Sequence, residues 1–435
     1  MNSQQPSEQN QPNQAENLDE NLATVGDSLS LENRFPVVGI GASAGGLDAF
    51  RKLLSHLPTD TGMAFVLIQH LSPDQKSLLS EILARETKMP VVEVVNDLAV
   101  EPNCVYVIPP NTKMTIEQGL LKLTPREKSR LMVLPVDTFF LSLAAELGNK
   151  AIAVVLSGGD GDGSQGLAAV KEAGGITFAQ CEESAQVSSM PNTAVATGHV
   201  DFILLPEEIA AELANISRHP YLVSPIPAKA VEVLVEGETA MQAIFSLLQA
   251  ATKMNFTHYK RATLKRRISR RMVLYKMENI DNYVTYLREH SEELQALSED
   301  MLIHVTSFFR DPIAFEALKT KVFPHIANQG ADVPIRIWIA GCATGEEAYS
   351  IAICLLEYLE TQPIKPLIQI YATDISDRSI DVARAGFYKS SILGNVSPER
   401  LQRFFVLGES GYQICKSIRE ICVFARQNIC SDPPF

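Results

Sequence analysis

The sequence predicts an α/β protein: a doubly wound, mostly parallel sheet, then a small helical unit, then a second, partial α/β sheet. Three observations carry this. Between residues 35 and 215, short runs rich in Val and Ile alternate with helical periods, as parallel strands joined by crossover helices do. Residues 237–322 keep the helical period without a strand-like run. A second alternation begins at Ile335. A chain of 435 residues has room for these units.

In chain order, residues 1–33 are rich in Gln, Asn, Ser and acids and hold no basic residue. Such a segment cannot bury enough apolar surface to fold, so 1–34 is expected to be a disordered acidic tail. Residues 35–215 form the first domain. Its expected strands are Val37–Ile40, Ala64–Ile68, Val91–Val95, Val105–Ile108 and Ala151–Leu156. Its expected helices are Gly46–Leu57, Ser77–Glu86, Thr138–Leu147 and Gln165–Glu172. Met114–Leu123 reads as a hairpin turning at Gln118-Gly119. Residues 216–236, with Pro220, Pro225 and Pro227, read as a linker. Residues 237–322 form the helical domain and 323–435 the last one, with strands at Ile335–Ala340, Ile368–Ala372 and Ile421–Ala425.

Composition narrows the function. A net charge of −13 argues against nucleic acid as the partner. The seven cysteines show no C-x-x-C pair, which points to reduced thiols of a cytoplasmic protein and to no metal site. The sequence lacks an apolar run of about 18 residues, so no direct membrane insertion is expected.

Two glycine turns carry the chemistry. The first, Gly41-Ala42-Ser43-Ala44-Gly45, follows a strand and opens a helix. A serine there stands on a sharp bend beside backbone N–H groups able to stabilise an oxyanion. A nucleophile needs a base and a group to orient that base. His70 and Asp162 each follow another strand, and parallel strands present their carboxyl ends on one rim. Two other readings stay open. Gly39-x-Gly41-x-x-Ala44 also fits a dinucleotide fingerprint, though that site wants an acid where Gln69-His70 stand. Ser43 could also be a plain helix N-cap.

The second turn, Gly341-Cys342-Ala343-Thr344-Gly345, opens a helix with Glu346-Glu347, and the next strand runs into Asp374. Asp374 stands where a ribose needs an acid. The two glutamates would repel a pyrophosphate but not a cationic sulfonium. That favours S-adenosylmethionine, against the alternative that the acids only offset the helix dipole.

Wider motifs sharpen both halves. Gly41–Gly46, Ile68-Gln69-His70, Ile108-Pro109-Pro110-Asn111, Leu156-Ser157-Gly158-x-x-x-Asp162-Gly163 and Met190-Pro191-x-x-Ala194 together resemble the chemotaxis protein-glutamate methylesterase family over about residues 35–205. The resemblance implies Ser43 as nucleophile, His70 as general base and Asp162 as its partner, with no cofactor. It implies hydrolysis of glutamate γ-methyl esters, and deamidation of glutamine, on methyl-accepting receptor or sensor proteins. Two departures stand out. Gly159-Asp160 replaces the family's usual Met or Thr then Gly, which places a second carboxylate beside Asp162. The family's receiver domain is missing, with the acidic tail in its place.

Residues 237–435 resemble the chemotaxis receptor glutamate methyltransferase family through Thr306–Asp311, Gly341–Ser350, Ala372–Ile375 and Phe424–Asn428. The resemblance implies S-adenosylmethionine contacts from Thr306, Arg310, Glu346, Glu347, Asp374 and Asn428. His304 and Ile429 depart from the usual Asn and Leu. The segment around Phe404–Arg426 resembles the family's receptor-tethering insert. The basic stretch Lys260–Arg271 is then expected to meet an acidic receptor helix, against a solvated face or a nucleic-acid arm. The family's next strand after Phe435 is absent, so the methyltransferase part reads as truncated, with an uncovered edge and weak or no turnover. Two opposing activities in one chain call for separate regulation or one silent half. A non-catalytic receptor-binding scaffold is the alternative.

Overall fold

The computed structural model describes residues 35–70, 78–126, 134–223, 238–252, 254–257, 259–302, 306–327, 333–363, 365–388, 396–408 and 411–433. The acidic tail, His304 and most of the expected linker lie outside the described residues.

The first unit is the doubly wound sheet the alternation predicts. It runs β1 (Val37–Ala42), α1 (Gly46–His56), β2 (Ala64–Gln69), α2 (Leu79–Leu83), β3 (Val91–Glu93), β4 (Leu98–Ala99), β5 (Val105–Val107), β6 (Thr112–Glu117) and β7 (Leu120–Pro125). Then follow α3 (Pro135–Leu147), β8 (Ala151–Val155), α4 (Ser164–Glu172), β9 (Ile176–Gln180), α5 (Ser189–Ala196), β10 (Phe202–Leu204), α6 (Pro206–Ile216) and α7 (Pro220–Val223). Seven strands in the order β10-β9-β8-β1-β2-β5-β3 make one parallel sheet. The chain leaves β1 toward β2 and later returns to its other side as β8. The strand order therefore reverses at β1, where such sheets bind ligands beyond the carboxyl ends. β6 and β7 form the expected hairpin, with Gln118 and Gly119 both at positive φ, as a two-residue turn of this hand requires.

The glycines of β1 serve packing. A Cβ on Gly41 would sit 2.3 Å from Cγ1 of Val136, and one on Gly39 2.8 Å from Cε1 of Phe140. Both neighbours lie on α3, so the glycines let that helix press onto β1 and fill the core with Phe139, Phe140 and Leu143. The G-x-G pattern that resembled a dinucleotide fingerprint is thus accounted for by helix-on-sheet contact.

The helical unit comprises α8 (Glu238–Thr252), α9 (Arg261–Leu274), α10 (Ile280–Glu289) and α11 (Ser291–Met301) around Ile244, Leu248, Ile268, Tyr283 and Leu297. The expectation that the basic stretch Lys260–Arg271 faces a receptor is corrected for its second half, while Lys260 and Arg261 remain exposed. Arg270 is fully buried, and Arg267 and Arg271 are nearly so. Arg270 donates to Asp201 and to the carbonyl of Gly175 in the first unit, and to Asp300 on α11. Arg267 donates to the carbonyls of Lys171 and Glu172, capping the C-terminus of α4. Arg271 forks onto Glu293. Val273 joins the core of the first unit. The helix thus fastens two units to each other. Residues 216–223, the start of the expected linker, are also docked, since Tyr221 and Leu222 are fully buried.

The last unit runs α12 (Pro312–Ala317), α13 (Phe323–Ala327), β11 (Ile335–Ala340), α14 (Glu346–Glu360), β12 (Ile368–Asp374), α15 (Asp377–Ala385) and β13 (Phe387–Tyr388). It continues through α16 (Pro398–Phe404), β14 (Phe405–Leu407), β15 (Tyr412–Ile414), α17 (Lys416–Arg419) and β16 (Cys422–Arg426). β11, β12 and β16 pair in parallel in that order. Trp338 and Val423 on this sheet are 48% and 51% exposed. β13, β15 and β14 form a small antiparallel sheet. The insert expected around Phe404–Arg426 therefore begins earlier, at Phe387, and β16 belongs to the parallel sheet instead.

Candidate functional site

Ser43, His70 and the turn Ser157–Gly163 stand at the carboxyl ends of β1, β2 and β8, three adjacent strands. The register that pairs Ala42 with Gln69 sets Ser43 and His70 one step beyond. The amide of Ser43 donates to the carbonyl of Ser157 at 2.9 Å, tying the first turn to the third. A Cβ on Gly158 would lie 3.1 Å from that of Ser43 and 2.4 Å from the Met190 sulfur, so only glycine fits there. Gly45, at φ +77°, is the N-cap of α1, and no side chain caps that helix. The N-cap reading of Ser43 is thereby corrected. Its hydroxyl makes no hydrogen bond to any described residue, and it opens onto a cavity of about 620 Å³ lined also by His70, Gln69, Arg51, Asp48 and Gln186.

Asp162 is fully buried. Its oxygens accept from the amides of Val136 at 2.9 Å and Asp137 at 2.8 Å, at the N-terminus of α3. Those two amides, at the positive end of the helix dipole, fix the carboxylate in place. The same carboxylate meets Nε2 of His70 at 2.8 Å. Asp160 meets the other ring nitrogen, Nδ1, at 3.1 Å. Burial works against a charged imidazole, yet the two carboxylates outweigh it and raise the His70 pKa to about 9. Asp137, missed in the sequence reading, lies behind Asp162. Burial first, and the charge of Asp162 second, push its carboxyl up to about 8. The shift disfavours a second buried negative charge beside Asp162. The amides of Ala44 and Gly159 donate to no described group, leaving two N–H groups next to the Ser43 turn.

The second turn is braced from below. Oδ2 of Asp374 accepts from the amide of Ala343 at 2.9 Å, and Oδ1 from that of Ser376. Gly341 (φ +72°) has nothing within 4 Å of where a Cβ would stand, so open space adjoins the turn. Glu346 and Glu347 part ways. Glu346 is buried, accepts from the Thr344 hydroxyl at 2.7 Å, and burial raises its pKa. Glu347 is exposed. The segment carrying Thr306 and Arg310 is fixed where the Phe309 amide donates to Ser350 on α14. Arg310 lies within electrostatic reach of Glu172 at the end of α4. Asn428, half-buried, accepts from the amide of Cys430 at 3.0 Å. Tyr259, just before α9, lies within electrostatic reach of Asp374 and Cys430, which the sequence reading did not foresee.

These features define a serine-hydrolase-like α/β centre joined to a second α/β unit with an acidic glycine turn at the end of its first strand. The comparisons say which. Residues 38–213 match the family model of CheB methylesterase, 239–302 the all-alpha domain of CheR methyltransferase, and 304–435 its SAM-binding domain. A Leptospira interrogans protein named for protein-glutamate methylesterase and protein-glutamine glutaminase is 30% identical over 177 residues, which is 40% of this chain and 92% of that one. A Rhodobacter capsulatus protein described as an uncharacterized 104.1 kDa protein is 39% identical over 376 residues. That match takes in 82% of this chain, which spans only 39% of the relative's length. The crystal structure of the Thermotoga maritima CheB methylesterase catalytic domain covers 42% of this chain and 99% of its own, at 28% identity and a TM-score of 0.39. The chain belongs to the CheB methylesterase family, and it carries both CheR methyltransferase domains behind the methylesterase domain.

Among the described residues no helix is long and apolar enough to cross a membrane. All seven cysteines are free thiols.

Proposed function

We propose that the first domain hydrolyses γ-methyl esters of glutamate on methyl-accepting receptor or sensor proteins in the cytoplasm. The observation that carries this is the meeting of Ser43, His70 and the helix-anchored Asp162 on one sheet rim. In the reaction, His70 takes the proton of Ser43 as its Oγ attacks the ester carbonyl. The amides of Ala44 and Gly159 are the candidate donors to the resulting oxyanion, a contribution on the order of 100-fold or more in rate each. Collapse breaks the carbon–oxygen bond to the methoxy group, His70 returns the proton, and methanol leaves. Water attacks the acyl-enzyme by the same route and frees the glutamate. The free thiols agree with a reducing compartment. A fluorophosphonate probe tests the assignment. We expect one adduct, on the tryptic peptide containing Ser43; a chain that stays unlabelled at every pH is a scaffold and not a hydrolase.

The second half, on the same reading, methylates the same class of glutamate. S-adenosylmethionine, when bound, supplies an electrophilic methyl group. The residues present fit it: an acidic turn with open space at Gly341, and no basic side chain on the turn to hold a phosphate. Asp374 and the Gly341–Gly345 turn would hold the nucleoside, with Thr306, Arg310, Glu346, Glu347 and Asn428 as further candidates. The acceptor carboxylate is already anionic at neutral pH, so this half needs alignment more than a base. Asp374→Ala removes both the ribose acid and the brace of the turn. Calorimetry should record a loss of S-adenosylmethionine affinity of at least about tenfold, as for a charged hydrogen bond of about 1.5–3 kcal/mol. Equal affinity would remove Asp374 from the site.

A further inference from the structure

His70 has two ring nitrogens, and each faces a carboxylate: Nε2 meets Asp162 at 2.8 Å and Nδ1 meets Asp160 at 3.1 Å. A carboxylate accepts hydrogen bonds, so a carboxylate facing each nitrogen favours a proton on both. The ring in this state is an imidazolium with no lone pair left for the proton of Ser43. We propose that Asp160 is a positioning residue that holds His70 off Ser43, so that the esterase centre rests switched off and turns on when the Asp160–His70 contact breaks. The proposal rests on the reading of Ser43 as nucleophile and His70 as base.

The two carboxylates are not equivalent. Asp162 is fully buried and pinned by two amides of α3. Asp160 keeps 20% side-chain exposure and is held within its own turn by the Asp162 amide at 3.1 Å. Glycines flank it at 159 and 161, and a Cβ on Gly159 would find its nearest neighbour 4.0 Å away. Asp160 therefore has both the freedom and the room to let go, while Asp162 has neither. Other charges near the ring do not take over its part. Asp137 stands behind Asp162, and across the cavity Asp48 pairs with Lys52 and Arg51 with Glu86. Contact with His70, against the opposing effect of burial, holds the Asp160 carboxyl below its ordinary value, as a partner of an imidazolium should be.

With a His70 pKa of about 9, roughly one ring in a hundred is neutral at pH 7. A group approaching the cavity that draws Asp160 away would release the base where substrate already is. In a chain that also carries methyltransferase domains, this keeps the esterase silent until engaged.

The test uses the whole chain with Asp160→Asn and Asp160→Glu. The His70 titration is followed by NMR of histidine-labelled protein, its signal assigned with His70→Gln. Fluorophosphonate labelling of Ser43 is timed across pH 6–10. We expect the His70 midpoint and the labelling midpoint to fall together by about one unit in Asp160→Asn, with labelling at pH 7 about tenfold faster. Asp160→Glu should keep both high. Unchanged midpoints in Asp160→Asn, with Ser43 still labelled, overturn the proposal and leave the triad standing. A lowered His70 midpoint with Ser43 unlabelled at every pH overturns the nucleophile reading and the switch with it.

Discussion

Ser43→Ala should abolish methanol release from a methylated receptor while leaving the fold as stable as before. The two halves of this result have separate causes. The hydroxyl of Ser43 makes no hydrogen bond to any described residue, and the N-cap of α1 is Gly45. Its removal therefore breaks no capping bond and opens no core cavity. The change in unfolding free energy should stay within about 0.5 kcal/mol, the range of substitutions away from structural features. Rate behaves otherwise, because no other described hydroxyl or thiol shares the cavity with His70. Deleting the nucleophile of a serine hydrolase removes on the order of 10⁶-fold in kcat, which puts methanol, measured by gas chromatography, at background. A structural serine would give the opposite pattern: lower stability with activity largely kept. Residual release above about 1% of wild type would mean that water or another group attacks the ester directly, and Ser43 would lose its role.

The sequence made the framework readable where one strand or one turn suffices. The Val–Ile runs of β1, β2 and β8 are buried on both faces, so their composition alone marked them. The turn at Gln118-Gly119 followed from local backbone preference. Ser43, His70 and Asp162 could be placed together because a parallel sheet sends the ends of its strands to one rim. β9 escaped notice because Thr177 and Gln180 interrupt its apolar run. Their burial is made possible by partners elsewhere, Asp201 for Thr177 and the Ser157 amide for Gln180. The start of α3 was read three residues late although Pro135 suits a first helical turn. The consequence of Asp160 was out of reach for another reason. Composition reveals a second carboxylate, but only the folded turn discloses that it meets Nδ1 of His70 while Asp162 meets Nε2. The same limit explains Lys260–Arg271. A basic run looks solvent-facing when its counter-charges are distant in sequence, and Asp201 stands 69 residues from Arg270, Asp300 30 residues from it.

That arginine carries the second large prediction. Arg270→Ala should destabilise the chain by about 3–5 kcal/mol, the usual cost of breaking a buried ion pair by deleting one partner. The guanidinium has no exposure and spans two units, donating to Asp201 and Gly175 on one side and Asp300 on the other. Lys171 also reaches Asp201 and Asp300, at 3.3 and 3.7 Å, but it cannot replace the directed bonds of the guanidinium. Without Arg270, Asp201 and Asp300 stay largely enclosed with little compensation. Burial alone would raise the Asp201 carboxyl, yet Arg270 first and Lys171 next hold it down to about 2. Its unfolded value is about 3.9. A carboxyl depressed on folding contributes stability that is full above pH 3.9 and is lost as pH falls toward 2. Wild type should therefore weaken steeply over that window, and Arg270→Ala, having lost the cause of the depression, should show a shallower acid slope there. Urea unfolding at pH 7 and pH 3 measures both effects. Exposed Lys260 on the same basic stretch supplies the control, since Lys260→Ala should stay within about 0.5 kcal/mol. Adding Asp201→Asn to Arg270→Ala should recover part of the loss, because the amide removes one of the two enclosed charges, and its bonds to the amide and hydroxyl of Thr177 survive on the carbonyl side. Were Arg270→Ala to cost less than about 1 kcal/mol, water would have to reach both carboxylates, and the two units would be resting against each other without being fastened.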